Sequence, residues 1–429
     1  MKKTFLKFLP LAATVLLATS CSKDENKDEV VTPENQEVEI QNEVKEVPFT
    51  VTVGSKQKLS KISYTKEVDA NGDELKDVQP EFDAGDVNGL WMIVTGDGIN
   101  ASTLTLSRIS EEGGTFAGTL KVTGSPSALT GTITIPHSDD ANYSWSATSI
   151  ADLMSKCGHV YTTDGMTYGG NSTVELVDNM AYLEFILAET QTKFEISTGE
   201  YKTFKTNPNG TQSIWIAVEG GTTVSGNLVS RSGREVSGGT IYTLDRTKEV
   251  DLGPDFTVLW TTCNLGADSP GEYGLYYAWG DVNGYGVGHN FSTIVYDGTE
   301  PLSATNGKDA AAAYATANNW GTGYRMPTGG ADSEQADLAN CSYKPETQDG
   351  NAGYKFYTDY GSVFLPAAGF CYLTGRSHDG SRGYYWSCTP DGESNAHSLR
   401  FDSGDSDDAY VSRSGRDCGQ SVRAVRCMN

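Results

Sequence analysis

The sequence predicts a mainly β chain that ends in a smaller α+β domain. Three observations carry this expectation. From Pro48 to Val250, apolar residues recur at every second position in short runs, the period of a strand with one buried face. Each run is bounded by Gly, Asn, Asp or Pro, and the chain holds 48 Gly and 22 Tyr. Such punctuation favours many short strands joined by turns over long helices. Helical patterns enter the last third, over Asp309–Trp320 and Ala331–Cys341, among further short strands and loops. That mixture gives an α+β domain.

Length and charge set the outer bounds. A chain of 429 residues suggests roughly three domains, at about 150 residues each. The net charge of −24 argues against nucleic acid, whose affinity comes from Lys and Arg neutralising phosphates. It equally argues against an anionic lipid surface as direct ligand.

The first residues read as an address. Lys2 and Lys3 form a positive start, Phe8 to Ala18 is an apolar run broken by Pro10 and Thr14, and Ala18-Thr19-Ser20 leads to Cys21. This is the layout of a secretory signal over residues 1–20, with an apolar run too short to span a bilayer as a helix. A cysteine directly after the small residues resembles a bacterial lipobox. The resemblance implies cleavage before Cys21 and lipidation of its thiol with acyl chains such as palmitate. Ser22-Lys23-Asp24-Glu25 resembles the acidic export signal of Bacteroidetes lipoproteins, which implies a surface-exposed protein held in the outer membrane. Between Ser22 and Val47 there is no Gly and no aromatic residue. Residues 21–47 therefore read as an extended acidic tether that cannot bury enough apolar surface to order itself.

The strands follow in sequence. Phe49, Val51 and Val53 alternate with Thr. Leu104 and Leu106, then Phe116, Gly118, Leu120 and Val122, then Leu129, Gly131, Ile133 and Ile135 repeat the pattern. Later come Val174-Glu175-Leu176, Ile214-Trp215-Ile216-Ala217-Val218 and Ile241 to Leu244. Regular spacing of short strands suggests antiparallel sandwiches. Asp69-Ala70-Asn71-Gly72-Asp73 begins like an EF-hand loop, but Glu74 stands at the sixth position where glycine is needed, so a hairpin turn is expected. One helix is expected at Ser149–Lys156, with Ser149 as cap and Ile150, Leu153 and Met154 on one face. Cys157 after it reads as a small buried hydrophobe.

The tether, the opening Pro48-Phe49-Thr50-Val51, the segment Val174 to Leu187 and the closing Gly239-Thr240-Ile241-Tyr242-Thr243-Leu244 together resemble the fimbrillin family of Bacteroidetes surface proteins. The resemblance implies two transthyretin-like β-sandwiches, over 48–165 and 166–249, meeting near Met166, and fimbrial subunits as partners. In fimbrial relatives, cleavage after a basic residue near the first strand frees a groove for subunit exchange. Here the first Arg is Arg108, preceded in that area only by Lys56, Lys58, Lys61 and Lys66, which departs from an Arg-specific cut near the first strand.

Residues 250–429 carry a second set of blocks. They read Trp260-Thr261-Thr262-Cys263-Asn264-Leu265-Gly266, Tyr276-Tyr277-Ala278-Trp279-Gly280-Asp281, Tyr324-Arg325-Met326-Pro327-Thr328, Phe364-Leu365-Pro366-Ala367-Ala368-Gly369-Phe370, Gly383-Tyr384-Tyr385-Trp386-Ser387 and Ser421-Val422-Arg423-Ala424-Val425-Arg426. In this order they resemble the Fibrobacter-type major paralogous domain, whose architecture is similar to C-type-lectin-like and formylglycine-generating-enzyme-like folds. After Gly253, Pro254 to Leu259 stands where the family has a glycine-containing turn.

Candidate sites each admit two readings. Aromatics crowd this cassette, and rings with a polar tip suit both a loop-rich core and a binding face; Tyr384, Tyr385 and Trp386 are the candidate ligand-binding run. Asp402, Asp405, Asp407 and Asp408 share one loop, able to hold calcium through oxygen ligands or to stand as a solvated acidic loop. Gly284, Gly286 and Gly288 lack the strand and helix of a nucleotide loop. The five His sit at no known nucleophile spacing, and no C-x-x-C occurs, so neither an enzyme nor a structural zinc is expected.

Six cassette cysteines, Cys263, Cys341, Cys371, Cys388, Cys418 and Cys427, are disulfide candidates in an exported chain. The family resemblance implies Cys263 with Cys341. A turn centred near His378-Asp379-Gly380 is expected to set Cys371 opposite Cys388, which leaves Cys418 with Cys427.

The expected protein is a surface-anchored adhesin or fimbria-associated lipoprotein, a tip or accessory subunit. Its cassette would bind a glycan or a host or matrix protein. A stand-alone glycan-binding lipoprotein of a polysaccharide-uptake system is the second expectation, and an enzyme built on the cassette fold the third.

Overall fold

The computed structural model describes residues 44–54, 67–68, 73–77, 91–110, 113–135, 159–168, 172–175, 177–206, 213–402 and 408–427. The signal segment, Cys21, the Ser22–Glu25 motif, the 149–156 helix, Cys157, Asp405 and Asp407 lie outside them.

Alternation builds the first sheet. In Lys45–Gly54, Phe49 and Val51 are buried and Thr50 is exposed. This strand runs antiparallel to Gly113–Ile135, with Val51 opposite Phe116, and parallel to Ser172–Glu175. Trp91–Ser110 pairs along Gly113–Ile135 with register shifts between Thr95 and Arg108. Such bulges bend and twist a strand, so two long strands supply both walls of one core. Met92, Val94, Leu104 and Leu106 from Trp91–Ser110 share this core with Phe116, Leu120 and Leu129 from Gly113–Ile135, and with Phe49, Val51 and Met166.

Met180–Leu187 anchors the next layer. It lies antiparallel to Ser213–Glu219 and parallel to Thr240–Arg246, so Leu183 faces Ile216 on one side and Tyr242 on the other. A second sheet of Lys193–Ser197, Tyr201–Lys205, Thr223–Gly226 and Ser230–Glu235 covers it. Phe194 stands between Phe185 and Phe204, at 4.9 and 5.3 Å between ring centroids. The expected alternation of Ile214, Ile216 and Val218 fills the same core.

Strand pairing crosses the expected domain limits in two places. His159–Met166 keeps pairing with Gly113–Ile135 and hands on to Val177–Asp178. Sheet membership therefore changes between Asp178 and Met180, and the 165/166 division falls inside the first sheet. Glu67–Val68 and Glu74–Asp77 pair antiparallel, and the expected turn over Asp69–Gly72 lies outside the described residues, but this early strand pair joins Thr240–Arg246 in the later sheet. A period of two reports which face of a strand is buried, and is blind to which sheet the strand enters.

The last third holds four small sheets and two helices. Asp309 caps Ala310–Ala317 by accepting from Ala311 N and Ala312 N, and also holds Met326 N. Ser333 caps Glu334–Asn340 through Ala336 N. Both helices fall within the predicted spans. Val425–Arg426 lies between Leu259–Thr261 and Tyr324–Arg325, so the last motif closes a sheet begun by the first. The chain is thus mainly β, with its helices confined to the last third among the described residues. Residues 43–429 pack as one unit, in which Leu259 enters the sandwich core and Ala188 the cassette core. Among the described residues, no helix is long and apolar enough to cross a membrane.

Candidate functional site

The sequence blocks of the cassette turn inward. Arg423 is 1% exposed, and its guanidinium donates to Thr261 O, Thr262 O, Phe364 O and Asn264 Oδ1 at 2.6–3.0 Å. Arg416 lies 4.0 Å over the Trp279 ring and donates to Asn395 O, Tyr296 O and Gly298 O. A planar fork with five donors suits this role, because it satisfies several loop carbonyls at once. Arg325 pairs with Glu334 through both nitrogens, and the same carboxylate accepts from Thr328 N.

The aromatic run predicted to bind a ligand belongs to the same scaffold. Tyr385 and Trp386 are fully buried and Tyr384 is 8% exposed. Tyr385 donates to Pro366 O and Trp386 to Tyr277 O, at 2.6 and 2.8 Å. Their polar handles serve the interior, which corrects the expectation of a ligand face at these three residues. The physical reason is that this stretch of Arg382–Asp391 is covered on both faces, with residues Gly383 to Cys388 buried in succession rather than in alternation.

Asp402 is engaged by Arg382 at 2.5 Å, with Arg400 at 3.8 Å, and Asp408 is exposed. Among the described residues, no three His, Cys, Asp or Glu side chains gather to hold a metal ion. A cleft of about 490 Å³ collects Asp255, Asp337 and Asp359 around Cys341 and Tyr357.

The six cassette cysteines stand as free thiols. The predicted facing of Cys371 and Cys388 is not formed. Phe370–Tyr372 turns back at once onto Gly375–Ser377, so Cys371 faces Arg376 on one side and Gly419, next to Cys418, on the other. The turn is made by Leu373, with φ of 51°, a residue that carries no turn signal in sequence. Cys388 sits elsewhere, its N–H donating to Pro327 O. Burial pushes the thiols of Cys341, Cys371, Cys388 and Cys418 up to about 11. The thiolate is the nucleophile, so in reduced, folded protein at pH 8 these four are expected to alkylate about a thousandfold below an exposed thiolate. Mass-spectrometric iodoacetamide time courses, folded and in denaturant, check this. Equal rates in both states would contradict the burial.

A chain of ring contacts runs from buried rings of the cassette out to exposed ones. Tyr285 stacks on His289 at 3.6 Å, and both meet the edge of Phe291. Phe291 exchanges two backbone hydrogen bonds with Leu373, and Leu373, Tyr372 and Val287 are exposed. Two residues earlier than Tyr372, Phe370 stacks on His378 and meets the edge of Tyr384. Arg400 then bridges Tyr384 to the exposed Tyr410. Sequence reasoning missed this surface because its exposed members, Val287, Tyr372, Leu373 and Tyr410, come from segments far apart in the chain, none with a periodic signal.

A second feature lies between the later sandwich and the cassette. Gln191 is fully buried, and its amide is saturated: Nε2 donates to Lys193 O, Asp251 O and Tyr360 O, and Oε1 accepts from Asp251 N, all at 2.8–3.0 Å. Tyr360 O also accepts from Thr192 N and Lys193 N, while the Tyr360 hydroxyl donates to Glu195 at 2.6 Å. That hydrogen bond pushes the phenol up to about 12. Gly253 lets the Tyr360 ring approach, since a Cβ there would lie 2.6 Å from it. A buried ion chain adds to the joint. Asp73 binds Arg234 and Arg246 at 2.7 and 2.8 Å, and Glu249 binds Arg426 at 3.1 Å and the Tyr324 hydroxyl. Burial pushes the Glu249 carboxyl up, opposed by Arg426 and Arg246. A cassette joined in this way is held at a set angle to the sandwich before it, not hung on a linker.

No family model and no curated protein matches the chain. Among solved structures it is similar to a candidate cell adhesion protein from Bacteroides uniformis, at 12% identity over 47% of this chain and 93% of that one, with a TM-score of 0.26. It is also similar to a fimbrial assembly protein from Parabacteroides distasonis, at 9% identity over 47% and 90%, with a TM-score of 0.23. A C-terminally truncated tip fimbrial protein from Porphyromonas gingivalis matches at 12% identity over 40% and 69%, with a TM-score of 0.21. At this level the likeness does not reach to function.

Proposed function

We propose that the protein is a surface-anchored, fimbria-associated adhesin whose cassette presents the ligand-facing surface. The observation that carries this is the exposed ring surface around Tyr372, Leu373, Val287 and Tyr410, mounted on a cassette that the Gln191 and Glu249 contacts lock to the sandwich. Exposed aromatics beside arginines are the usual anchors of a protein interface, and a fixed mount transmits pull on the head into the sheets behind it. The acidic balance and the absence of any assembled nucleophile in the sequence favour binding over catalysis. The partner is a host or matrix protein, and the stalk belongs with fimbrial subunits.

Two measurements test this. The protein is expected to co-purify with fimbriae in low copy number relative to the main subunit. Tyr372→Ala combined with Tyr410→Ala is expected to weaken binding to matrix proteins by about tenfold or more, as loss of interface anchors does, with the melting temperature unchanged. Recovery only in fimbria-free membrane fractions would favour the stand-alone lipoprotein. Unchanged matrix binding in the double variant would remove this surface from the account.

A further inference from the structure

A cavity of about 460 Å³ opens at the joint, lined by Glu195, Tyr201, Asn227, Arg231, Asp251 and Tyr360 among others. This lies in the range of small-molecule sites, roughly 300–1,000 Å³, which favour domain joints. We propose that it binds a neutral saccharide, one terminal pyranose of a glycan. This is a second site, separate from the ring surface proposed above, and deepens the adhesin reading by naming a ligand class.

The charge of the lining selects the ligand. Glu195 and Asp251 are two acceptors that disfavour a phosphate or sulfate. Arg231 stands exposed beside them and disfavours a cation such as a lysine side chain. Among the described residues there is no cluster of ligands for a metal. A neutral ring of hydroxyls meets neither repulsion, donating to the carboxylates and accepting from the guanidinium.

The polar groups are fixed before any ligand arrives. Asp251 is 2% exposed. Its Oδ1 accepts from Asn227 Nδ2 and Gly253 N at 3.0 and 2.8 Å, and its backbone is clamped by Gln191. Glu195 Oε1 accepts from the Tyr360 hydroxyl and from Thr203 Oγ1. In each carboxylate the bonds that fix the group fall on one oxygen. Pre-set acceptors of this kind spare the ligand an ordering cost.

Tyr201 supplies the apolar contact. It is 72% exposed, the most exposed of the chain's described large hydrophobics, and it lines the cavity from the turn side of Tyr201–Lys205. A flat ring at a polar mouth can cover the C–H face of a pyranose while the hydroxyls turn inward.

The test is saturation-transfer NMR on the full chain with Cys21→Ala, using methyl glycosides of mannose, galactose and N-acetylglucosamine. At least one is expected to bind with a Kd on the order of 1 mM. Tyr201→Ala and Arg231→Ala change exposed side chains and are expected to weaken it about fivefold or more, whereas Tyr372→Ala leaves it unchanged. No transfer to any of the three glycosides would overturn the proposal, as would transfer that Tyr201→Ala leaves intact. Acetyl-lysine amide that binds in place of the sugars, with the same dependence on Tyr201, would assign the cavity to a protein side chain and overturn it equally. Glycoside binding with no fimbrial co-purification would leave this site standing and remove only the fimbrial reading.

Discussion

Arg423→Met is expected to destabilise the cassette by about 4 kcal/mol. Each buried acceptor left without a donor costs about 1–3 kcal/mol, and this one guanidinium serves Thr261 O, Thr262 O, Phe364 O and Asn264 Oδ1. Those acceptors belong to the first block, at Thr261, Thr262 and Asn264, and to the Ser362–Pro366 strand, so their common donor ties two distant segments to the last block. Met keeps much of the stem volume and isolates the loss of donors. Native domains are stable by only about 5–15 kcal/mol, so the variant should melt about 10 °C lower or express largely unfolded. Arg413→Met is the control. Its side chain is 75% exposed and 4.0 Å from Asp391, a pair whose loss should change stability by less than about 1 kcal/mol. Denaturation followed by tryptophan fluorescence distinguishes the two. If Arg423→Met unfolds where Arg413→Met does, the buried fork does not hold the blocks together.

The same residue shows how far the sequence could be read. The order of the blocks was visible, and so were the two helices, because Asp309 is a cap followed by a helical run. The alternation of Phe49 with Val51 and of Ile214 with Ile216 was visible because a period of two is a local property. The function of Arg423 was not, because its four partners lie up to 162 residues away. Sequence-separated contacts of this kind leave no spacing to detect. The joint was hidden for a related reason. Gln191 looks like any surface amide in a turn, and only the fold brings Asp251 and Tyr360 to it.

Local signals also misled where backbone conformation overrode composition. His378-Asp379-Gly380 does form the expected turn, with φ of 62° at His378 and 74° at Gly380 and His378 O accepting from Ser381 N and Arg382 N, but the chain also reverses earlier, at Leu373, so Cys371 pairs with Arg376 and not with Cys388. Consecutive aromatics at Tyr384-Tyr385-Trp386 suited both a core and a binding face, because rings with a polar tip serve either. This strand is covered on both faces, which decides for the core. The exposed rings instead sit on other strands, at Tyr372 at the end of Phe370–Tyr372 and at Tyr410 in Ala409–Gly415, where a single aromatic carries no signal in sequence.

Cys21→Ala is expected to move the protein from the membrane fraction to the soluble fraction almost completely. The argument is one of anchoring strength. A single acyl chain gives only marginal, reversible binding, and stable attachment takes two signals, each buried CH₂ contributing about 0.8 kcal/mol. The net charge of −24 repels an anionic leaflet, and among the described residues no helix is long and apolar enough to span a bilayer. The effect should therefore be near all-or-none, and independent of the fold, since Cys21 precedes the first of the described strands, which begins at Lys45. Fractionation with and without detergent, together with metabolic labelling by a palmitate analogue, reads both halves of the claim. Label on the wild type and none on Cys21→Ala is the expected pair of results. A Cys21→Ala protein that stays with the membrane and still needs detergent for release would sink the lipid anchor, and with it the proposed surface address.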